Sequence, residues 1–212
     1  NSTVKKDQFQ YYNKDSLNRQ EGRWFYKDRR LNIFAAIDFA FSLSSKADFT
    51  SIVVVGVDID HNYYILDIER FKTNKISEYF DKILKMHIKW GFRKIRAEVI
   101  AAQEIIVQDL KQNYIRPNGL ALSVEHHRPT TQKEERMEAT LQPRYNNLQI
   151  YHFVGGMCDL LEEELILQRP AHDDIKDALT SAIEISIPPT YQSKPTLQKN
   201  GNLYNARFGG IG

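Results

Sequence analysis

The hydrophobic pattern organises the chain from Leu31 onward. Residues 31–41, LNIFAAIDFAF, form an apolar run interrupted by one acid. Residues 51–58, SIVVVGVD, are short and rich in β-branched side chains, as expected of a buried strand. Residues 63–70, YYILDIER, follow a polar break at Asp60, His61 and Asn62 that reads as a hairpin. These three runs predict an antiparallel meander. The period then changes: Ile76, Tyr79, Phe80, Ile83, Leu84, His87 and Ile88 recur at helical spacing up to Trp90, and Gly91 suits a helix stop. Residues 94–100 predict a strand and 101–113 a helix. Residues 120–125 and 148–153 predict two more strands, with a polar loop and a short helix near 132–141 between them. Residues 157–168 and 172–187 predict two helices, the second ended by Pro188 and Pro189.

Three antiparallel strands followed by alternating strands and helices predict an α/β fold, one mixed central sheet with helices on both faces. Residues 1–30 are polar with scattered aromatics and read as a lead-in segment, with Tyr12, Trp24, Phe25 and Tyr26 available to pack on the domain. The domain itself is expected over 31–189, and residues 190–212, rich in Gly, Asn, Gln and Lys, read as a flexible tail.

Composition narrows the reading only a little. A chain of 212 residues suits one good-sized domain or two small ones. A net charge of +2 does not argue for nucleic-acid binding by itself, so a DNA enzyme with this balance must segregate acids in its site from bases around it. The single cysteine, Cys158, rules out an internal disulfide and fits a reducing compartment. No apolar run approaches the ~18 residues of a membrane span, and no signal peptide is visible. The first residue is Asn rather than Met, which suggests a piece of something larger.

Three groups of acids stand out. Asp38 interrupts an apolar strand, where alternation places it on the same face as Phe34 and Ala36. A carboxylate there needs a partner or a metal, unless the strand stops at Ile37 and Asp38 caps a turn. Glu98 lies near the end of the strand in KIRAEVIAA, where it could also be a solvated strand-end glutamate. Asp173, Asp174 and Asp177 crowd the start of the last helix in HDDIKDAL, a place the helix dipole favours for acids in any case. Asp174 and Asp177, three apart, share a helix face, while Asp173 is the natural N-cap. Taken together, acids from two strands and a helix form the all-oxygen set that Mg²⁺ or Mn²⁺ prefers. Two such ions about 4 Å apart could activate a water and stabilise the leaving 3′ oxygen of a phosphodiester. Candidate phosphate-steering bases are Arg128, Lys133, Arg136 and Arg144, with His126 and His127 nearby; Lys133 and Arg136 also lie among glutamates and could be ion-paired instead.

The order of AIDFAFS (36–42), DFTSIVVVG (48–56), YYILDIERFK (63–72), IRAEVIAAQ (95–103), TQKEERMEATLQP (131–143) and HDDIKDAL (172–179) resembles the ribonuclease-H-like nucleases. Within them it is similar to the C-terminal nuclease domain of the large terminase subunit of tailed bacteriophages. The resemblance implies a mixed sheet flanked by helices, and a metal-dependent endonuclease that cuts concatemeric double-stranded viral DNA with two Mg²⁺ or Mn²⁺ ions. By motif position it implies Asp38, Glu98 and Asp174 as catalytic metal ligands, Asp38 bridging both ions. Asp177 is a fourth candidate, Asp173 could exchange roles with Asp174, and Asp48 is expected beside the site. It further implies a packaging ATPase in the same full-length protein, portal and small terminase subunits as partners, no membrane, and the host cell cytoplasm as location. The chain departs from a full large subunit in having no GxxxxGK[ST] loop, so it cannot itself be the translocating motor. A Holliday-junction resolvase would share the acid layout, and a non-catalytic docking module of the motor would share the fold.

Overall fold

In a computed structural model of the chain, residues 4–40 and 48–190 are described. Nine strands form one sheet among them. β4 (Arg29–Asp38), β5 (Thr50–Val57) and β6 (Tyr63–Phe71) make the antiparallel meander expected from the three apolar runs. Every residue of β5 is buried, which explains its unbroken apolar sequence: it is central, with helices over both faces. β7 (Lys94–Glu98) joins β4 in parallel, and β8 (Ser123–His127) joins β7 in parallel. β9 (Ile150–His152) lies parallel to β6 on the opposite flank. The mixed sheet predicted from the sequence is therefore present.

The lead-in residues contribute more than aromatic packing. β1 (Gln10–Tyr11) pairs with β9, and the hairpin of β2 (Leu17–Gln20) and β3 (Arg23–Tyr26) adds to the first residues of β4. Tyr12 and Phe25 are buried, Tyr12 donating a 2.6 Å hydrogen bond to the Ile65 carbonyl, and Trp24 packs against Trp90 at 4.8 Å.

Five α-helices flank the sheet. α1 (Ile76–Trp90) buries Tyr79, Phe80 and Ile83 of the predicted stripe together with Met86 and Trp90, leaves Ile88 67% exposed, and stops where Gly91 adopts φ 72°. The helix expected over 101–113 is broken into a 3-10 turn (Ala101–Gln103), α2 (Glu104–Asp109) and a π-helical turn (Leu110–Ile115). α3 (Lys133–Asn146) runs through Pro143 and is longer than expected, and β8 begins three residues later than predicted. α4 (Met157–Ile166) and α5 (Asp174–Glu184) follow, with α5 lying across β4 and β5. No helix among the described residues is long and apolar enough to cross a membrane. The tail expected to be flexible falls, from residue 191 on, outside the described residues, as does the predicted end of the first strand at residue 41.

Candidate active site

Strand register builds the site. Asp38 is the last residue of β4, Glu98 the last of β7, and the two are direct partners across the parallel pair. On its other side Asp38 faces Ser51 of β5. The strand thus continues one residue past Ile37, so the run's only acid emerges at the sheet's edge, partly exposed, instead of in its middle. α5 crosses above with its N-terminus over the same edge and its first-turn acids directed at the sheet.

α3 adds two cations. Lys133 Nζ stands 3.2 Å from Asp177 Oδ2, 3.1 Å from Asp173 Oδ1 and 4.0 Å from Asp38 Oδ2. The Arg136 guanidinium, nearly buried, contacts Glu98 and lies 2.7 Å from Asp177 Oδ1. Basic residues in the first turn of a helix oppose its dipole by roughly 0.3–1 kcal/mol, so the surrounding carboxylates must be what holds them there. Five carboxylates, from Asp38, Glu98, Asp173, Asp177 and Glu184, share these two cations and leave an excess of negative charge.

That excess appears in the protonation behaviour. Burial, with Asp177 and Glu98 close by, pushes the Asp38 carboxyl well above the usual carboxylate range despite Lys133. Burial and Glu98 likewise raise Asp177 against the pull of Lys133 and Arg136. Burial disfavours the Lys133 ammonium, but Asp177, Asp38 and Asp173 more than offset it and hold Lys133 firmly protonated.

The helix acids divide between two sets of partners. Asp174 lines the same groove as Asp38. It is buried beside Arg70, with Oδ2 and Oδ1 each 3.1 Å from a guanidinium nitrogen, and it accepts a hydrogen bond from Ser51. Asp177, expected only as a fourth candidate, meets the other acids. Asp173 does occupy the N-cap position, but its carboxylate goes to Lys133 and makes no cap hydrogen bond. The N-terminal turn of α5 is instead served by Glu164 of α4, whose Oε2 accepts from the Lys176 backbone N–H at 2.7 Å.

The expected DNA-contacting bases also separate. Arg136 is only 8% exposed and is paired with Glu98 and Asp177. Arg144 lies at the far end of α3, donating to the Thr140 carbonyl and standing 5.6 Å from the Tyr63 ring. Lys133 and the exposed Arg128, paired with Glu104 at 2.6 Å, remain near the site edge. His127 is the β8 partner of Glu98, with His126 beside it. An open groove of about 460 Å³ leads in, lined by Asp38, Asp48, Lys133, His172, Asp173 and Asp174 among others. His172 lies 3.4 Å from Asp48 and edge-on to Phe49. Sequence reading missed Arg70 and Ser51. Their signal was there: both sit on strands of the meander, directly paired with each other and next to Asp38, but nothing local marks either as a partner of α5.

The donors suit a hard divalent ion. They are all oxygens, they carry surplus negative charge, and the oxygens of Asp38, Asp173 and Asp177 already converge on a cation, the Lys133 ammonium. In this arrangement the ammonium holds that place, and among the described residues no three acid, histidine or cysteine side chains close on a common point by themselves.

The sequence matches no protein-family profile and no curated protein. Solved structures do match. The large terminase nuclease from thermophilic phage G20c, solved with bound zinc, superimposes with a TM-score of 0.59 at 17% identity over 85% of this chain and 96% of that one. The human cytomegalovirus terminase nuclease domain gives 0.57 at 17% identity over 73% and 83%. The nuclease domain of the large terminase subunit of bacterial virus Sf6 gives 0.55 at 12% identity over 74% and 89%. At these identities the likeness concerns the fold, and the chain's mixed sheet with its flanking helices is the ribonuclease-H-like fold of the terminase nucleases.

Proposed function

We propose that the chain is a divalent-metal-dependent DNA endonuclease, the nuclease part of a viral genome-packaging terminase. The observation that supports this most is the meeting of Asp38, Glu98 and Asp177 from two parallel strand ends and a helix, on the fold seen in terminase nucleases. Asp38, Glu98 and Asp177 are the residues to hold Mg²⁺ or Mn²⁺, with Asp173 at the rim; Asp174 is reassigned to holding α5 on the sheet. Ions held there supply the charge that activates a water and stabilises the departing oxygen of the cut strand. Arg136 fixes the Glu98 and Asp177 carboxylates relative to each other. Lys133, with its side chain 37% exposed, balances the acids and can pass to a phosphate oxygen when DNA enters. Arg128 adds attraction for the backbone outside. The substrate under this reading is concatemeric double-stranded viral DNA, and the partners are the packaging ATPase of the same full-length protein, the portal and the small terminase subunit, in the host cytoplasm.

Incubation of supercoiled plasmid, linear duplex and a four-way junction with Mn²⁺, Mg²⁺ or chelator tests it. Metal-dependent cutting of plasmid and linear duplex is expected, with none in chelator. Cutting confined to the junction would instead favour a resolvase, and no cutting of any substrate would leave a docking module.

A further inference from the structure

At the opposite end of β4 the sheet contains a notch. β3 pairs with β4 up to Leu31, and β7 takes over on the same side only from Ala35. Asn32, Ile33 and Phe34 therefore have β5 on one side and no strand on the other. Among the described residues, three residues of strand edge, about 10 Å of backbone, are left without a pairing strand, although the Asn32 side chain donates to the Ile187 carbonyl. A groove of about 390 Å³ opens there, between the β2–β3 hairpin and the Trp90–Lys94 turn.

The rim is cationic and lacks counter-charge. Arg23, Arg30 and Arg93 line the groove and no acid does. Neither these three nor neighbouring Arg19, which stacks over the Trp24 ring at 5.6 Å, has a carboxylate within ion-pair distance among the described residues. Five other arginines, Arg29, Arg70, Arg96, Arg128 and Arg136, have acidic partners; Arg116 and Arg144, which bond Gln112 and the Thr140 carbonyl, lie singly, whereas the notch gathers three arginines on one groove. Two buried donors at the notch, Arg30 Nε and Trp24 Nε1, also have no acceptor. Buried donors without acceptors are costly, roughly 1–3 kcal/mol each, and call for an acceptor-bearing occupant.

We propose that this notch is a docking site for an extended acidic polypeptide segment of a partner protein. Its main chain would lie along the free edge at Asn32–Phe34, and its carboxylates would meet Arg23, Arg30 and Arg93. The free strand edge favours a peptide over nucleic acid, because a polypeptide main chain offers donors and acceptors at the spacing of a β edge whereas a phosphodiester backbone offers acceptors alone. The site is separate from the catalytic one: Asp38 is four to six residues along β4 from the free edge at Asn32–Phe34, roughly 13–20 Å at strand rise. The proposal does not depend on the nuclease reading.

The chain's two tryptophans, Trp24 and Trp90, pack against each other at this groove, so intrinsic fluorescence reports its occupancy directly. The whole chain is titrated with an eight-residue peptide alternating Glu and Val, with the same peptide carrying Gln for Glu, with inorganic phosphate, and with a short DNA duplex. The experiment is repeated on the Arg23→Glu/Arg93→Glu variant, whose changed side chains are exposed and whose folding is checked by thermal melting. Saturable, salt-sensitive binding of the Glu peptide is expected, at least tenfold weaker for the Gln peptide and for the variant, with the variant's melting temperature unchanged. Equal response in the variant, no saturable response to the Glu peptide, or tighter response to DNA or phosphate than to the Glu peptide would overturn the proposal.

Discussion

Asp38 and Glu98 end neighbouring parallel strands in exact register, so two carboxylates that are sixty residues apart in the chain share one edge of the sheet. The proposed activity depends on which helix acid joins them: Asp177 shares Lys133 with Asp38 and Arg136 with Glu98, while Asp174 is held by Arg70 and Ser51.

Substitution separates the two. Asp177→Asn is expected to reduce metal-dependent plasmid cleavage at least a hundredfold while the protein stays folded. Asp174→Asn is expected to weaken the Arg70 and Ser51 contacts and lower stability by about 2 kcal/mol, with cleavage by the folded fraction retained. Denaturant melts alongside single-turnover cleavage distinguish these outcomes; the reverse pattern would restore Asp174 as the ligand.

Arg136 is expected to be structural. Its replacement by alanine leaves Glu98 and Asp177 facing each other without their shared guanidinium, at a cost of about 3 kcal/mol in metal-free protein. Added Mn²⁺ should recover part of the lost melting temperature in this variant and raise it less in the wild type. A melting curve unmoved by the substitution would show that the guanidinium does not hold the acids together.

Glu164 gives a pH dependence. Burial pushes its carboxyl up to about 8 from an ordinary 4.5, the backbone N–H groups of Lys176 and Ile175 pulling only partly the other way. The native state therefore keeps a proton that the unfolded chain releases. Stability from this group is full below pH 4.5 and is lost as pH rises through 8. The melting temperature of Glu164→Gln should fall by several degrees less than that of the wild type between pH 5 and pH 9. Parallel curves for the two proteins would show that Glu164 ionises normally.

The meander and the flanking helices were legible because burial leaves a strong trace: β5 is apolar throughout, and α1 repeats its apolar stripe up to a glycine stop. Asp38 was legible for the converse reason, as a charge in an apolar run. β1, β2 and β3 were not, since they are two to four residues long, largely polar, and held by distant contacts such as Tyr12 to Ile65 and Trp24 to Trp90. The choice between Asp174 and Asp177 was also hidden. Both lie in the first turn of one helix, and which of them meets β4 depends on how α5 sits on the sheet, a tertiary fact fixed partly by Arg70 from a strand a hundred residues earlier. Arg136 read as a surface base among glutamates because its burial comes from α3 packing on α5.

The central claim, that Asp38, Glu98 and Asp177 jointly bind divalent ions, is tested most directly by calorimetric titration of Mn²⁺ into the metal-free chain and its Asp38→Asn variant. Saturable binding by the wild type and its loss in the variant are expected. Binding of equal strength in both proteins, or none in either, would contradict the account.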